Sequence, residues 1–196
     1  MTRPARTTLV LGGSRSGKSA VAERLLAAEP AVTYVATGPV PDGADPDWAA
    51  RVRRHRLRRP TGWTTVETGD LAGALRRAPG AVLVDAIGSW LTGVLDSTGA
   101  WDGSPGWSAA CAARTDELER AWRESRGPVV AVSDEVGSGV IPATASGRLF
   151  RDLLGELNAR LSLAADRAVL VVAGRVLELS HPDAVLGVPT SHLETQ

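Results

Sequence analysis

The chain has 196 residues, 43% of them hydrophobic, and its 22 basic and 22 acidic residues give a formal net charge of zero. This suits one domain with its own core and gives no sign of a nucleic-acid or membrane-surface partner. A single cysteine, Cys111, excludes an internal disulfide and a cysteine-rich zinc site, and the lack of a long apolar run leads us to expect a cytoplasmic protein.

The first predicted elements enclose a phosphate-binding loop. Residues 9–11 are predicted to form a strand and residues 20–26 a helix, and the segment between them fits G-x-x-x-x-G-K-S. Its glycines let backbone N–H groups converge on an anion at the positive end of the helix. Lys18 is the only lysine of the chain, and its compact ammonium suits terminal phosphates, while the Ser19 hydroxyl suits Mg²⁺. We therefore predict that the chain binds a nucleoside triphosphate.

Strands and helices alternate along the rest of the chain. The predicted strands cover residues 32–36, 63–67, 81–85, 129–132, 169–173 and 176–179. The predicted helices cover residues 47–59, 70–77, 87–95, 115–126 and 148–163, with a surface loop over 96–107. This alternation indicates an α/β fold with a mainly parallel sheet and helices on both faces. We predict one nucleotide-binding domain over residues 1–179 and a C-terminal tail over residues 180–196.

Ligands of such sheets bind beyond the carboxyl ends of the strands, where several polar residues are predicted to meet. Asp85 ends an apolar strand, as the acid of a Walker B strand does; alternatively, it caps the helix that follows. Glu67 also ends a strand and is either a ligand for a guanine edge or a ribose, or an exposed loop acid. Thr37 and residues 133–135 are expected at the same edge, and Glu135 is a further candidate acid.

His55 lies in the predicted helix over residues 47–59, among six arginines between residues 51 and 59. Neighbouring positive charges oppose protonation and favour the neutral imidazole, which is a nucleophile. The same arginines would hold a triphosphate and stabilise charge at its α-phosphorus. The alternative is a solvated basic helix face with an incidental histidine.

Six segments carry a resemblance to a known family. They are G-G-S-R-S-G-K-S at residues 12–19, Y-V-A-T at 34–37, H-R-x-x-R-P-x-x-W-x-T-x-E at 55–67, E-V-G-x-G-x-x-P at 135–142, G-R-x-F-R-D-x-x-G-x-x-N at 147–158 and V-V-A-G at 171–174. Over roughly residues 8–179, the chain resembles the bifunctional adenosylcobinamide kinase/adenosylcobinamide-phosphate guanylyltransferases of cobalamin biosynthesis. Asp134 stands where that family has Asn, and Glu156 and Ala159 stand where it has Arg and Gln.

The resemblance implies a RecA-like P-loop NTPase fold and two reactions. Adenosylcobinamide first takes the γ-phosphate of a nucleoside triphosphate on its aminopropanol hydroxyl. His55 then attacks GTP to give a GMP-histidine intermediate, from which the corrinoid phosphate takes GMP to yield adenosylcobinamide-GDP. The implied cofactor is Mg²⁺ with GTP or ATP, and the implied assembly is a homotrimer with sites at its subunit boundaries.

Site residues follow from the same resemblance. Together with the loop motif and the Walker B acid, it predicts His55 and Lys18 as catalytic residues and Ser19 and Asp85 as metal ligands. The nucleotide-binding residues are Gly12, Gly13, Ser14, Arg15, Ser16, Gly17, Lys18, Ser19, Ala36, Thr37, Gly38, Arg56, Leu57, Arg58, Arg59, Glu67 and Asp85. Two alternatives are a P-loop small-molecule kinase in which His55 is structural, and a GTP-binding regulatory module. The chain has no second lysine for the N-K-x-D guanine motif of Ras-type switches.

Overall fold

The computed structural model describes residues 5–38, 53 and 60–179 of the chain. Its strands are β1 Thr7–Gly12, β2 Val32–Ala36, β3 Trp63–Glu67, β4 Ala81–Asp85, β5 Val129–Asp134, β6 Arg167–Val172 and β7 Arg175–Glu178. Its helices with described bounds are α1 Lys18–Leu25, α2 Leu71–Arg77, α3 Ile87–Thr98, α4 Trp107–Arg123 and α5 Ala145–Ala164, with a short 3-10 helix at Ala100–Asp102.

The seven strands form one sheet in the order β3-β2-β4-β5-β1-β6-β7. Every neighbouring pair is parallel except β6 and β7, which are antiparallel. Side chains of β1 alternate between two hydrophobic cores, with Leu9 and Leu11 in one and Val10 in the other. The first core contains residues of α2, α3, α4 and α5, and the second contains residues of α1. The predicted parallel sheet with helices on both faces is therefore confirmed.

Several element boundaries differ from those predicted. Within the predicted surface loop over residues 96–107, α3 continues to Thr98, the 3-10 helix follows, and α4 begins at Trp107 rather than at residue 115. The early part of α4 is rich in small residues and shows no broad apolar stripe, although alanine itself favours helix. Gly99 and Gly106 have left-handed φ angles of 70° and 81° and separate these helices. The segment packs onto the protein, since Ala100 is buried.

The remaining described predictions hold with small shifts in their bounds. β5 extends to Asp134, and α5 begins three residues before residue 148, where the Thr144 hydroxyl accepts from the Gly147 N–H at 3.1 Å. Apart from Arg53, the predicted helix over residues 47–59 lies outside the described residues, as does the predicted tail over 180–196. In the part of the chain that is described, no helix is both long and apolar enough to cross a membrane.

Candidate nucleotide-binding site

Two positions of the loop between β1 and α1 favour glycine, one for lack of space and one for its backbone conformation. A Cβ on Gly12 would lie 2.7 Å from the Val171 carbonyl oxygen, and Gly17 has a left-handed φ of 98°. The Ser16 N–H donates to the Gly13 carbonyl at 3.3 Å, and the Gly174 N–H donates to the Ser16 carbonyl at 3.0 Å. The loop is therefore closed on itself and tied to the turn between β6 and β7.

The outer side of this loop faces solvent. Gly13, Ser14 and Arg15 are exposed, and Arg15 has a left-handed φ of 56°. Such a conformation costs a non-glycine residue about 1–3 kcal/mol and is typical of ligand-binding loops. The exposed turn leads directly into α1, whose N-terminal end carries a partial positive charge. This arrangement suits a bound anion.

Lys18 is buried at the base of the loop. Its ammonium lies 2.7 Å from Asp134 Oδ1 and donates to the Gly13 carbonyl at 3.1 Å. The Lys18 side chain is 7% exposed and the Asp134 side chain 41% exposed. Asp134 ends β5 opposite Gly12, which ends β1, so the parallel register brings the carboxylate to the loop. This ion pair was not among the predicted contacts of Lys18.

A second group of candidate residues lies at the ends of β2, β3 and β4. Ala36 is the register partner of both Glu67 and Asp85, so these three residues form one row across the sheet. Thr37 and Gly38 follow Ala36, and the Thr37 hydroxyl donates to the Ala86 carbonyl at 2.6 Å. Glu67 is exposed on the edge strand, whereas Asp85 is partly buried. The structure thus brings these predicted residues together.

Tyr34 is an unpredicted member of this group. Its buried hydroxyl donates to Asp85 Oδ2. Tyr34 pairs with Leu83 in the register, so Asp85 is its diagonal neighbour on the same face of the sheet. The segment Y-V-A-T contains Tyr34, but only the pairing of β2 with β4 reveals its partner.

The two groups occupy different stretches of one sheet edge. Asp85 pairs with Val132, so Asp134 extends two residues farther along β5, about 7 Å at the usual rise. Glu67 lies four strands from β1, roughly 19 Å away at the usual strand spacing. The phosphate-binding loop and Glu67 are therefore placed to contact different parts of a ligand rather than the same phosphate.

Asn158 of α5 fixes the end of β5. Its Oδ1 accepts from the Ser133 hydroxyl at 2.6 Å, and its Nδ2 donates to the Asp134 carbonyl at 3.0 Å. The Glu135 N–H in turn donates to the Gly12 carbonyl at 3.1 Å. Asn158 is buried, and both ends of its side-chain amide are hydrogen-bonded. It joins the long helix to the end of β5, whose last residue, Asp134, pairs with Lys18.

Five predicted site residues, His55, Arg56, Leu57, Arg58 and Arg59, lie outside the described residues. Their roles remain predictions. Among the residues that are described, no group of three or more His, Cys, Asp or Glu side chains could hold a metal ion. Mg²⁺ bound with a nucleotide needs only one or two protein ligands, because phosphates and water supply the others. The partly buried Ser19 and Asp85 suit that requirement.

Comparisons with known proteins identify relatives across most of the chain. The family model of cobinamide kinase / cobinamide phosphate guanyltransferase matches residues 8–179. The chain is 37% identical over 180 residues to the bifunctional adenosylcobalamin biosynthesis protein CobU of Salmonella typhimurium, covering 85% of this chain and 95% of that protein. It is 36% identical over 178 residues to the protein CobP of Pseudomonas aeruginosa that carries the same description, covering 87% of this chain and 95% of that one.

A solved structure shares the fold. An ATPase from the type III secretion system of pathogenic bacteria superposes with a TM-score of 0.53 at 11% sequence identity, covering 84% of this chain and 50% of that one. This likeness shows a shared fold and carries nothing about substrates.

Proposed function

The chain belongs to the cobinamide kinase / cobinamide phosphate guanyltransferase family, and on that premise we propose that it catalyses both reactions in adenosylcobalamin biosynthesis. It phosphorylates adenosylcobinamide with a nucleoside triphosphate and then transfers GMP from GTP to the new phosphate. The observation that carries the proposal is the family match over residues 8–179, which includes the phosphate-binding loop built around Lys18.

Phosphorylation needs positioning and charge neutralisation, and no protein nucleophile. The turn at residues 12–17 and the N-terminus of α1 would bind the phosphates, with Lys18 at the γ-phosphate. As the substrate hydroxyl oxygen bonds to the γ-phosphorus and gives up its proton to water, the bond from that phosphorus to the β-phosphate oxygen breaks and the nucleoside diphosphate leaves. We propose Ser19 and Asp85 as the residues that hold Mg²⁺, which neutralises phosphate charge when it is bound. The Tyr34 hydroxyl would orient the Asp85 carboxylate.

Guanylylation is proposed to proceed through His55. Its neutral imidazole nitrogen would attack the α-phosphorus of GTP, forming a P–N bond as pyrophosphate leaves. An oxygen of adenosylcobinamide phosphate would then attack the same phosphorus, and the P–N bond would break to regenerate the imidazole. Arg56, Arg58 and Arg59 are proposed to neutralise the phosphates, with Leu57 beside the nucleotide. Glu67 is proposed to accept hydrogen bonds from guanine N1 and N2.

Assembly and location are further parts of the proposal. The family resemblance supports a homotrimer whose sites are completed at subunit boundaries. The cytoplasm is the proposed location, because it supplies the ATP and GTP that both reactions use.

A two-stage product assay tests the function. Purified protein is incubated with adenosylcobinamide, Mg²⁺ and ATP, GTP is then added, and the corrinoids are separated and identified by mass spectrometry. The proposal predicts adenosylcobinamide phosphate first and adenosylcobinamide-GDP after GTP. Accumulation of the phosphate alone would favour a simple kinase. Tight GTP binding with neither product would favour a regulatory module.

A further inference from the structure

The Lys18 ammonium is already engaged by protein groups where the proposed function requires it to bind phosphate. It has three N–H donors, one directed to the Gly13 carbonyl and another to Asp134 Oδ1. The side chain is 7% exposed, so solvent supplies little of its hydration. A buried ammonium is costly unless it is paired. Asp134 supplies that pairing.

Asp134 is held in place from several directions. Its carbonyl accepts from Asn158 Nδ2, which anchors the end of β5 to α5. Its Oδ2 lies only 3.3 Å from where a Cβ would stand on Gly88, in the first turn of α3. The positive end of that helix favours a negative charge. The carboxylate thus lies between the ammonium of Lys18 and the N-terminal turn of a helix.

The arrangement has opposite consequences for the protein and for its ligand. A carboxylate 2.7 Å from the ammonium stabilises the buried lysine and holds it at the base of the loop. Phosphate oxygens that approach the same ammonium must take over or share this contact. They also come close to the negative charge of Asp134, whose side chain is 41% exposed and is not shielded by burial.

We propose that Asp134 is the positioning residue for Lys18, holding its ammonium at the base of the loop while competing with the triphosphate for it. Asp134 thereby increases the stability of the fold and lowers affinity for nucleotide. The chain has no other lysine that could replace Lys18 in this role. The inference rests on the nucleotide-binding part of the proposed function and deepens it.

The test replaces Asp134 by its uncharged isostere and measures Mg-ATP binding to the full chain with a fluorescent ATP analogue. Asp134→Asn keeps a side-chain oxygen for Lys18 but removes the competing charge. We expect the Kd to fall about 2- to 5-fold, the scale of a partly exposed ion pair. Damage to the loop would raise the Kd instead, so the sign separates positioning from a structural defect. Asp102→Asn, which removes an exposed carboxylate from the 3-10 helix, is the control and should leave the Kd unchanged.

A thermal double-mutant cycle tests whether Asp134 acts through Lys18. Without nucleotide, Asp134→Asn should lower the Tm by about 2–4 °C in the wild-type background. In the Lys18→Met background, where no ammonium needs pairing, the same substitution should change the Tm by less than about 1 °C. An equal loss in both backgrounds would overturn the positioning role.

Kinetics and binding give the remaining decisive outcomes. If the wild type binds Mg-ATP and Asp134→Asn binds it equally or more weakly, the inference is overturned while the proposed function stands. A kcat for phosphorylation that falls more than about 100-fold, with nucleotide affinity unchanged, would make Asp134 a catalytic proton acceptor instead of a positioning residue. A wild type that binds no nucleotide would contradict the proposed function itself.

Discussion

Two sites in the described chain, each a cation paired with one or more carboxylates, differ in how the cation is held. Lys18 contacts one carboxylate, Asp134, and one backbone carbonyl at the edge of the sheet. Arg160 of α5 donates to two acids of α4, from Nε to Glu119 at 2.8 Å and from Nη2 to Asp116 at 2.6 Å. One cation has few partners beside a loop that faces solvent, whereas the other joins two helices through several charged hydrogen bonds.

The chemistry of the two side chains explains this difference. An ammonium is a point charge with rotatable donors and can exchange one oxygen for another with little geometric change. A guanidinium is a planar fork whose paired hydrogen bonds fix its partner's orientation. In addition, Arg123 donates to Glu119 Oε1 at 2.6 Å from the next turn of α4. The ion pair of Lys18 is therefore suited to exchanging one oxygen partner for another. The ion pairs of Arg160 are suited to a permanent contact between α4 and α5.

The largest effect is expected from Lys18→Met. Both reactions should slow by about 100-fold or more, because each uses the same loop to hold phosphate charge. The Tm should stay within a few degrees of the wild type, since Asp134 remains partly hydrated. Steady-state rates for each step check this, and full kinase activity in the variant would remove the loop from the mechanism.

A loss of stability without a loss of activity is expected from breaking the contact between α4 and α5. Glu119→Gln should lower the free energy of unfolding by about 1–2 kcal/mol, because Arg160 and Arg123 lose their shared charged acceptor. Neither KM should change. Glu117→Gln is the matched control, since its ion pair with Arg76 is about 40% exposed on both sides and should contribute less than about 0.5 kcal/mol. Urea unfolding of the two variants checks the difference, which equal losses would contradict.

The stability contributed by Glu119 should depend on pH in a defined direction. Burial raises the pKa of its carboxyl, but hydrogen bonds from Arg123 and Arg160 outweigh burial and leave it below the ordinary 4.5. Because the pKa is lower in the folded state, the carboxylate contributes its full stabilisation at pH values above the pKa of the unfolded chain. That stabilisation is lost as the pH falls through the pKa of the folded state. The stability difference between wild type and Glu119→Gln should therefore be constant near pH 7 and shrink below about pH 4.5. A difference that grows on acidification would contradict this sign.

The smallest effect is expected from Tyr34→Phe. Loss of one hydrogen bond to Asp85 should raise the Mg²⁺ concentration needed for half-maximal kinase activity by about 3- to 10-fold. Leu83→Ile, at the register partner of Tyr34 in the same core, is a packing control that should leave this Mg²⁺ requirement unchanged. Equal shifts in the two variants would indicate repacking rather than orientation of Asp85.

Local sequence signals predicted much of the fold and part of the site. The bounds of β2, β3 and β4 were predicted correctly, because β-branched runs are followed there by turn residues. The start of α4 was missed because its first turns carry small residues with little periodicity. The contact between Lys18 and Asp134 requires β5 to lie beside β1, and that between Tyr34 and Asp85 requires the register of β2 with β4. Neither the pairing of these strands nor their register can be predicted from hydrophobic periodicity along the chain.

The central claim is that one phosphate-binding loop serves both reactions, whereas His55 is the nucleophile of guanylylation alone. The variant His55→Ala tests this claim most directly. Wild type and variant are incubated with GTP labelled at the α-phosphorus, and the protein-bound label is measured after acid and after base. We expect an acid-labile, base-stable label on the wild type and none on His55→Ala, which still converts adenosylcobinamide to its phosphate. A labelled His55→Ala protein, or adenosylcobinamide-GDP formed by it, would contradict the covalent histidine mechanism.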